Sequence, residues 1–145
     1  MADPFFEKID EPKVVEAIRR AESRSRGEVR VHVTPGAVTD VMEAAAAAFE
    51  KLGMTATKER NGVLIFVAPR AQKFAVLGDS GITSLVGVEA WDEVAARLGA
   101  AFREARFTDG LVAAVERAGT LLAAHFPPIA GKDDTDELSN EISRG

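Results

Sequence analysis

Three side chains with hard oxygen atoms, Glu28, Asn61 and Asp79, stand at the ends of segments patterned as β-strands. Two carboxylates and an amide oxygen suit a divalent cation such as Ca²⁺ or Mg²⁺, which takes oxygen ligands. Arg60 adjoins them and could steady a phosphate group, so the same carboxylates could also serve a weak metal-assisted phosphatase. Other chemistries find less support. The chain has no cysteine, which removes disulfides, thiolate metal sites and cysteine nucleophiles. Its two histidines, His32 and His125, have no second histidine at ligand spacing and read as structural. Gly78-Asp79-Ser80-Gly81 lacks the spacing of a serine nucleophile elbow, and its glycines read as turn glycines. Asp134-Thr135-Asp136 has the look of a phosphatase aspartate pair, but it sits in a polar tail rather than at a strand end. It is rejected as a site.

The elements that would position these groups follow from periodicity and punctuation. Asp10 and Pro12 open a helix carrying Val14, Val15, Ile18 and Ala21 at helical spacing. Glu28–Val33 alternates charged or polar with β-branched residues, which predicts a strand buried on one face only. Asp40 with Glu43 resembles a capping box ahead of an alanine-rich helix, and Gly53 is placed to end it. Val63–Ala68 is apolar at every position, so both faces of that strand need cover. A turn over 69–72 leads into Lys73–Leu77. Two helical stripes follow, one through Trp91, Val94, Leu98 and Phe102 and the other through Leu111, Val115, Leu122 and Phe126. Pro127-Pro128 stops the second.

Helix, strand, helix, strand, strand, helix, helix implies a right-handed parallel crossover and then an antiparallel hairpin, hence a small mixed sheet. If 69–72 is the turn, Ala68 faces Lys73 and Gly62 faces Asp79. The parallel strand beginning at Glu28 starts at the same end, which gathers Glu28, Asn61 and Asp79 at one pole with Arg60 nearby.

The 145 residues predict one domain over 1–128 and a polar, acidic tail over 129–145, of which residues 133–145 are expected to add little to folding. A net charge of −5 gives no general attraction to nucleic acid or anionic lipid. The longest apolar run, Val63–Pro69, falls well short of the ~20 residues of a membrane helix. The opening Met-Ala-Asp-Pro-Phe-Phe has no signal-peptide pattern. A soluble, cytoplasmic protein without an organic cofactor is expected, and its protein partner is not identified. Phe5 and Phe6 require docking or a partner. Trp91, Phe102, Phe107 and Phe126 read as core.

The stretches NGVLIFVAP and KFAVLGDSGI, the long segment WDEVAARLGAAFREARFTDGLVAAVERAGTLLAAHFP, and DELSNEIS, preceded by GEVRVHV, together resemble the TPM domain family. The likeness runs from about Asp10 to the end of the chain and is to the short bacterial form lacking a signal peptide and membrane helix. It implies a three-layer α/β/α sandwich. Relatives are associated with photosystem repair, acid-phosphatase activity, calcium binding and modulation of a receptor channel, so fold alone transfers no single function. Cation binding in the family directs attention to Glu28 and Asp79, with Asp92 and Asp109 as looser additions from the helical segments. The expected function is a non-enzymatic binding or adaptor domain with a divalent-cation site. The weak phosphatase and a purely protein-interacting module are its alternatives.

Overall fold

The computed structural model describes residues 4–128 and 142–144. After a 3-10 turn at Pro4–Lys8 come α1 (Glu11–Ser23), β1 (Glu28–Val33), α2 (Val41–Lys51), a short 3-10 turn at Met54–Ala56 and β2 (Gly62–Ala68). The chain continues through β3 (Lys73–Gly78), α3 (Ser80–Val86), α4 (Val88–Arg103), α5 (Phe107–His125) and β4 (Ser143–Arg144). Local chemistry sets the early boundaries. Asp10 accepts the Lys13 N–H at 3.2 Å to cap α1, and Asp40 accepts the Glu43 N–H at 3.1 Å to cap α2. Gly53, with φ of 71°, takes the left-handed conformation that follows α2.

The strands form one mixed sheet in the order β3-β2-β1-β4. β1 runs parallel to β2, from Glu28 opposite Gly62 to Val33 opposite Val67. β3 returns antiparallel, from Ala68 opposite Lys73 to Val63 opposite Gly78, as the turn over 69–72 requires. Every residue of β2 is buried. Val63, Ile65 and Val67 join the core beneath α1, α3, α4 and α5, whereas Leu64, Phe66 and Ala68 meet Ala45, Phe49 and Met54 on the α2 side. The architecture is therefore the expected α/β/α sandwich. Trp91 is 2% exposed and anchors α4, and its Nε1–H donates to Thr83 Oγ1 at 2.9 Å. Phe5 packs beside Phe102 and Phe107, with ring centroids 5.5 and 5.7 Å away.

Three expectations require correction. First, β1 is not half buried: Glu28 and His32 on its polar face are also buried, and only Arg30 is intermediate. The strand lies inside the sheet, so that face runs beside Leu64 and Phe66 of β2. His32 stacks on Phe66 with centroids 5.7 Å apart, and its Nδ1 is 3.0 Å from Ser143 Oγ. Second, part of the tail is structural. Ile142 belongs to the main core, Ser143 and Arg144 pair in parallel with His32 and Val33, and Arg144 forms an ion pair with Glu11. Leu138 and the aspartates of 133–136 lie outside the described residues. Third, Gly78–Gly81 is more than a turn, because Asp79 caps α3, a helix absent from the expected order.

Candidate functional site

The pole is built from three chain passages: the entry into β1, the loop entering β2, and the β3–α3 junction. The Asp79 N–H donates to Gly62 O at 2.8 Å, extending the hairpin by one step beyond Val63–Gly78. Arg60 has φ of 52°, an uncommon conformation for a residue with a side chain. Its carbonyl accepts the Gly81 N–H at 2.7 Å. Gly81 permits this approach, since a Cβ there would lie 2.0 Å from Glu59 O.

With its backbone held in this way, Arg60 clamps Asp79 with two bonds. Nε donates to Oδ2 at 2.7 Å and Nη2 to Oδ1 at 2.9 Å. Oδ1 also accepts the Ser80 N–H at 2.7 Å, so one carboxylate caps α3 and holds the guanidinium. Donating to Asp79, whose negative charge adds to the effect, raises the Arg60 guanidinium above its ordinary pKa. The Asp79 side chain is 6% exposed and that of Arg60 is 49% exposed. Asn61 is buried; its backbone N–H donates to Thr57 Oγ1 at 3.3 Å and its Nδ2 to Arg26 O at 3.2 Å.

A second bidentate pair stands alongside, with Arg26 Nε and Nη2 donating to Glu59 at 2.9 and 3.0 Å. Arg26 also donates through its side chain to Pro127 O and through its N–H to Phe126 O, and its guanidinium lies over the Phe126 ring. This joins the β1 entry, the β2 entry and the end of α5. The sequence reading passed over Arg26 and Glu59. Their signal was available: Arg26 precedes Glu28 and Glu59 precedes Asn61 by two positions, and Arg26 and Glu59 carry opposite charges. Glu22, whose charged neighbours Glu16, Arg19 and Arg20 make it read as part of a solvated helix face, is instead buried and accepts the Val29 N–H at 2.9 Å.

Of the nominated residues, Glu28, Asn61, Asp79 and Arg60 belong to this pole. Asp92 is exposed on α4, and Asp109 lies at the start of α5, the end remote from Phe126, with Arg106 Nη2 3.4 Å from its Oδ2. His125 is exposed at the end of α5, and His32 is bonded within the sheet. Among the described residues, no group of three or more His, Asp or Glu side chains is arranged to hold a metal ion. The oxygen chemistry of the pole fits a hard cation, but both Asp79 oxygens already accept hydrogen bonds. An incoming cation would have to exchange with Arg60. Any repulsion of Asp79 by a neighbouring carboxylate is already relieved by Arg60. Among the described residues no helix is long and apolar enough to cross a membrane.

The chain matches the TPM domain family over residues 3–121. No curated protein matches it. Among solved structures, it is similar to the BA42 protein from the psychrophilic bacterium Bizionia argentinensis, with 42% identity and a TM-score of 0.82 over 93% of this chain and 92% of that one. The N-terminal domain of a protein from P. gingivalis has a TM-score of 0.68 at 15% identity, covering 81% of this chain and 78% of that one, a likeness of fold. By the extent of the family match and the identity to BA42, this chain belongs to the TPM domain family.

Proposed function

We propose that this TPM domain is a non-enzymatic binding or adaptor domain whose working surface is the Glu28, Asn61 and Asp79 pole, with a divalent cation as its ligand. The observation that carries the reading is the Arg60–Asp79 pair: a buried carboxylate neutralised by an arginine that remains half exposed. A cation exchanging with that guanidinium gains a carboxylate fixed by the Ser80 N–H, while Arg60 is free to swing into solvent. Hydrolysis is the weaker reading. Asp79 is committed as an acceptor, and the Nε and Nη2 groups that would steady a phosphate face Asp79 instead. A protein-interaction role has one supporting observation of its own, since Leu85 and Val88 are 54% and 56% exposed on either side of the α3–α4 junction.

The test is thermal unfolding of chelator-treated protein with calcium and with magnesium, using wild type, Asp79→Asn and Arg60→Gln. A ligand that binds only the folded state raises the melting temperature as RT ln(1 + [L]/Kd). Wild type should respond, Arg60→Gln should respond more because the competitor is gone, and Asp79→Asn should respond less. Indifference of both wild type and Arg60→Gln at millimolar ion would refute the cation reading. Metal-dependent turnover of a phosphate monoester that vanishes in Asp79→Asn would favour the enzyme instead.

A further inference from the structure

Asn61 and Gly62 stand together at the entrance to β2, and packing accounts for both. A Cβ on Gly62 would lie 3.2 Å from Met54 O and 3.4 Å from Met54 Cε, so a side chain there would press on the Met54 backbone. Asn61 is 2% exposed, and its Nδ2 donates to Arg26 O at 3.2 Å. A backbone carbonyl only accepts, so this position requires an amide and not an aspartate. The two requirements together place at the pole the dipeptide whose side-chain amide is most open to attack by the backbone. Glycine leaves its own nitrogen unshielded, and that nitrogen can close a cyclic imide on the preceding asparagine.

The chemistry needs only water and its hydroxide. The Gly62 nitrogen loses its proton to hydroxide and forms a bond to Asn61 Cγ; the Cγ–Nδ2 bond breaks and the amide leaves as ammonia. Water then opens the succinimide at either carbonyl, giving aspartate or isoaspartate. Ring closure requires Nδ2 to depart and the backbone around Asn61 to turn, and the folded chain holds both. The Asn61 N–H donates to Thr57 Oγ1 at 3.3 Å, Gly62 O accepts the Asp79 N–H at 2.8 Å, and Gly62 lies opposite Glu28 in the sheet. The acceptor of Nδ2 is fixed in turn, because Arg26 is bonded to Glu59, Phe126 O and Pro127 O.

We infer that Asn61-Gly62 is a deamidation site held closed by the folded pole. Reaction awaits local opening of the β2 entry, and its product takes from Arg26 O the donor that Asn61 supplies, so the pole closes less tightly afterwards. The inference requires no cation at the pole. The experiment is peptide mapping by mass spectrometry, with isoaspartate detection, of the intact chain kept in mildly alkaline buffer, folded and in urea. Asn61 should convert at least about ten-fold more slowly folded than in urea, with isoaspartate among the products. Thr57→Val, which removes the acceptor of the Asn61 N–H, should speed conversion in the folded state alone, with faster amide exchange confined to the β2 entry. Gly36→Ala, with nothing within 4 Å, should change neither rate. Asn61→Asp should melt below wild type. Equal rates folded and unfolded, products lacking isoaspartate, or a Thr57→Val rate matching wild type would overturn the inference. So would faster exchange spread to Ile65 in the middle of β2, or Asn61→Asp melting with wild type. If Thr57→Val does not fold, Glu59→Gln, which loosens the hold on Arg26, takes its place under the same outcomes.

Discussion

The contact between Gly78 and Trp91 offers a sharp test of the packing that supports the pole. A Cβ added at Gly78 would lie 2.5 Å from both Cε2 and Nε1 of Trp91, closer than van der Waals contact allows. Gly78 is not among the residues with positive φ, so alanine is permitted by the backbone and only the collision is tested. Gly78→Ala should cost about 1–3 kcal/mol as an overpacking change. Trp91→Ala should cost about 3–5 kcal/mol, because the ring is 2% exposed and Thr83 loses its donor. In the double variant the collision has no object, so the total should match Trp91→Ala alone, a coupling of about 1–3 kcal/mol. Urea unfolding followed by far-ultraviolet circular dichroism measures all four proteins, with equal slopes as the check on two-state behaviour. Additivity within about 0.5 kcal/mol would refute the reasoning, since independent sites add to that accuracy.

Removing residues 142–145 should lower stability by about 1–3 kcal/mol, as burial of Ile142 outweighs the ordering of a short segment; an unchanged urea midpoint would mean β4 contributes nothing. Asp79→Ala should cost about 0.5–2 kcal/mol more than Asp79→Asn through loss of the α3 cap, so equal unfolding midpoints would count against capping. Because Arg60 is raised when folded, its contribution is present below the ordinary arginine pKa and lost only as pH climbs through the higher folded value. Melting curves of wild type and Arg60→Gln should therefore stay parallel across neutral pH. Gly81→Ala, whose Cβ would meet Glu59 O at 2.0 Å, should shift the Arg60 and Asn61 amides, while Gly36→Ala, with nothing within 4 Å, should not.

The legible parts of the chain were those whose signals are local. Asp10 and Asp40 mark helix starts by their side-chain chemistry, and the turn over 69–72 fixes the hairpin register that carries Asp79 to Gly62. Hence the pole could be located from sequence, whereas its bonding could not. Whether Arg60 clamps Asp79 or leaves it to a cation depends on a left-handed backbone that Arg60 does not advertise. The helix α3 was hidden because two glycines close to Asp79 look like turn residues, although Gly81 is required by the approach of Glu59 rather than by a bend. β4 was hidden for a different reason. Two residues have no periodicity, and their partner strand lies more than a hundred positions earlier. The polar face of β1 was misread because alternation reports side-chain chemistry, while His32 is covered by Phe66 on one neighbouring strand and Ser143 on the other.

β4 also bears on how these molecules behave towards one another in concentrated solution. It contributes only Ser143 and Arg144, which pair with His32 and Val33 at the end of β1, and Val33 is almost fully buried. So short a strand can detach without melting the β2–β3 hairpin, because local opening requires only the contacts that are broken. Each such event would unpair the backbone at His32 and Val33, and an exposed strand edge is a template for joining chains edge to edge. The Arg144–Glu11 ion pair and the burial of Ile142 thus act as a latch that limits how often that template is presented. Loosening the latch would first be seen in the tendency to form aggregates, before the folded fraction changes measurably.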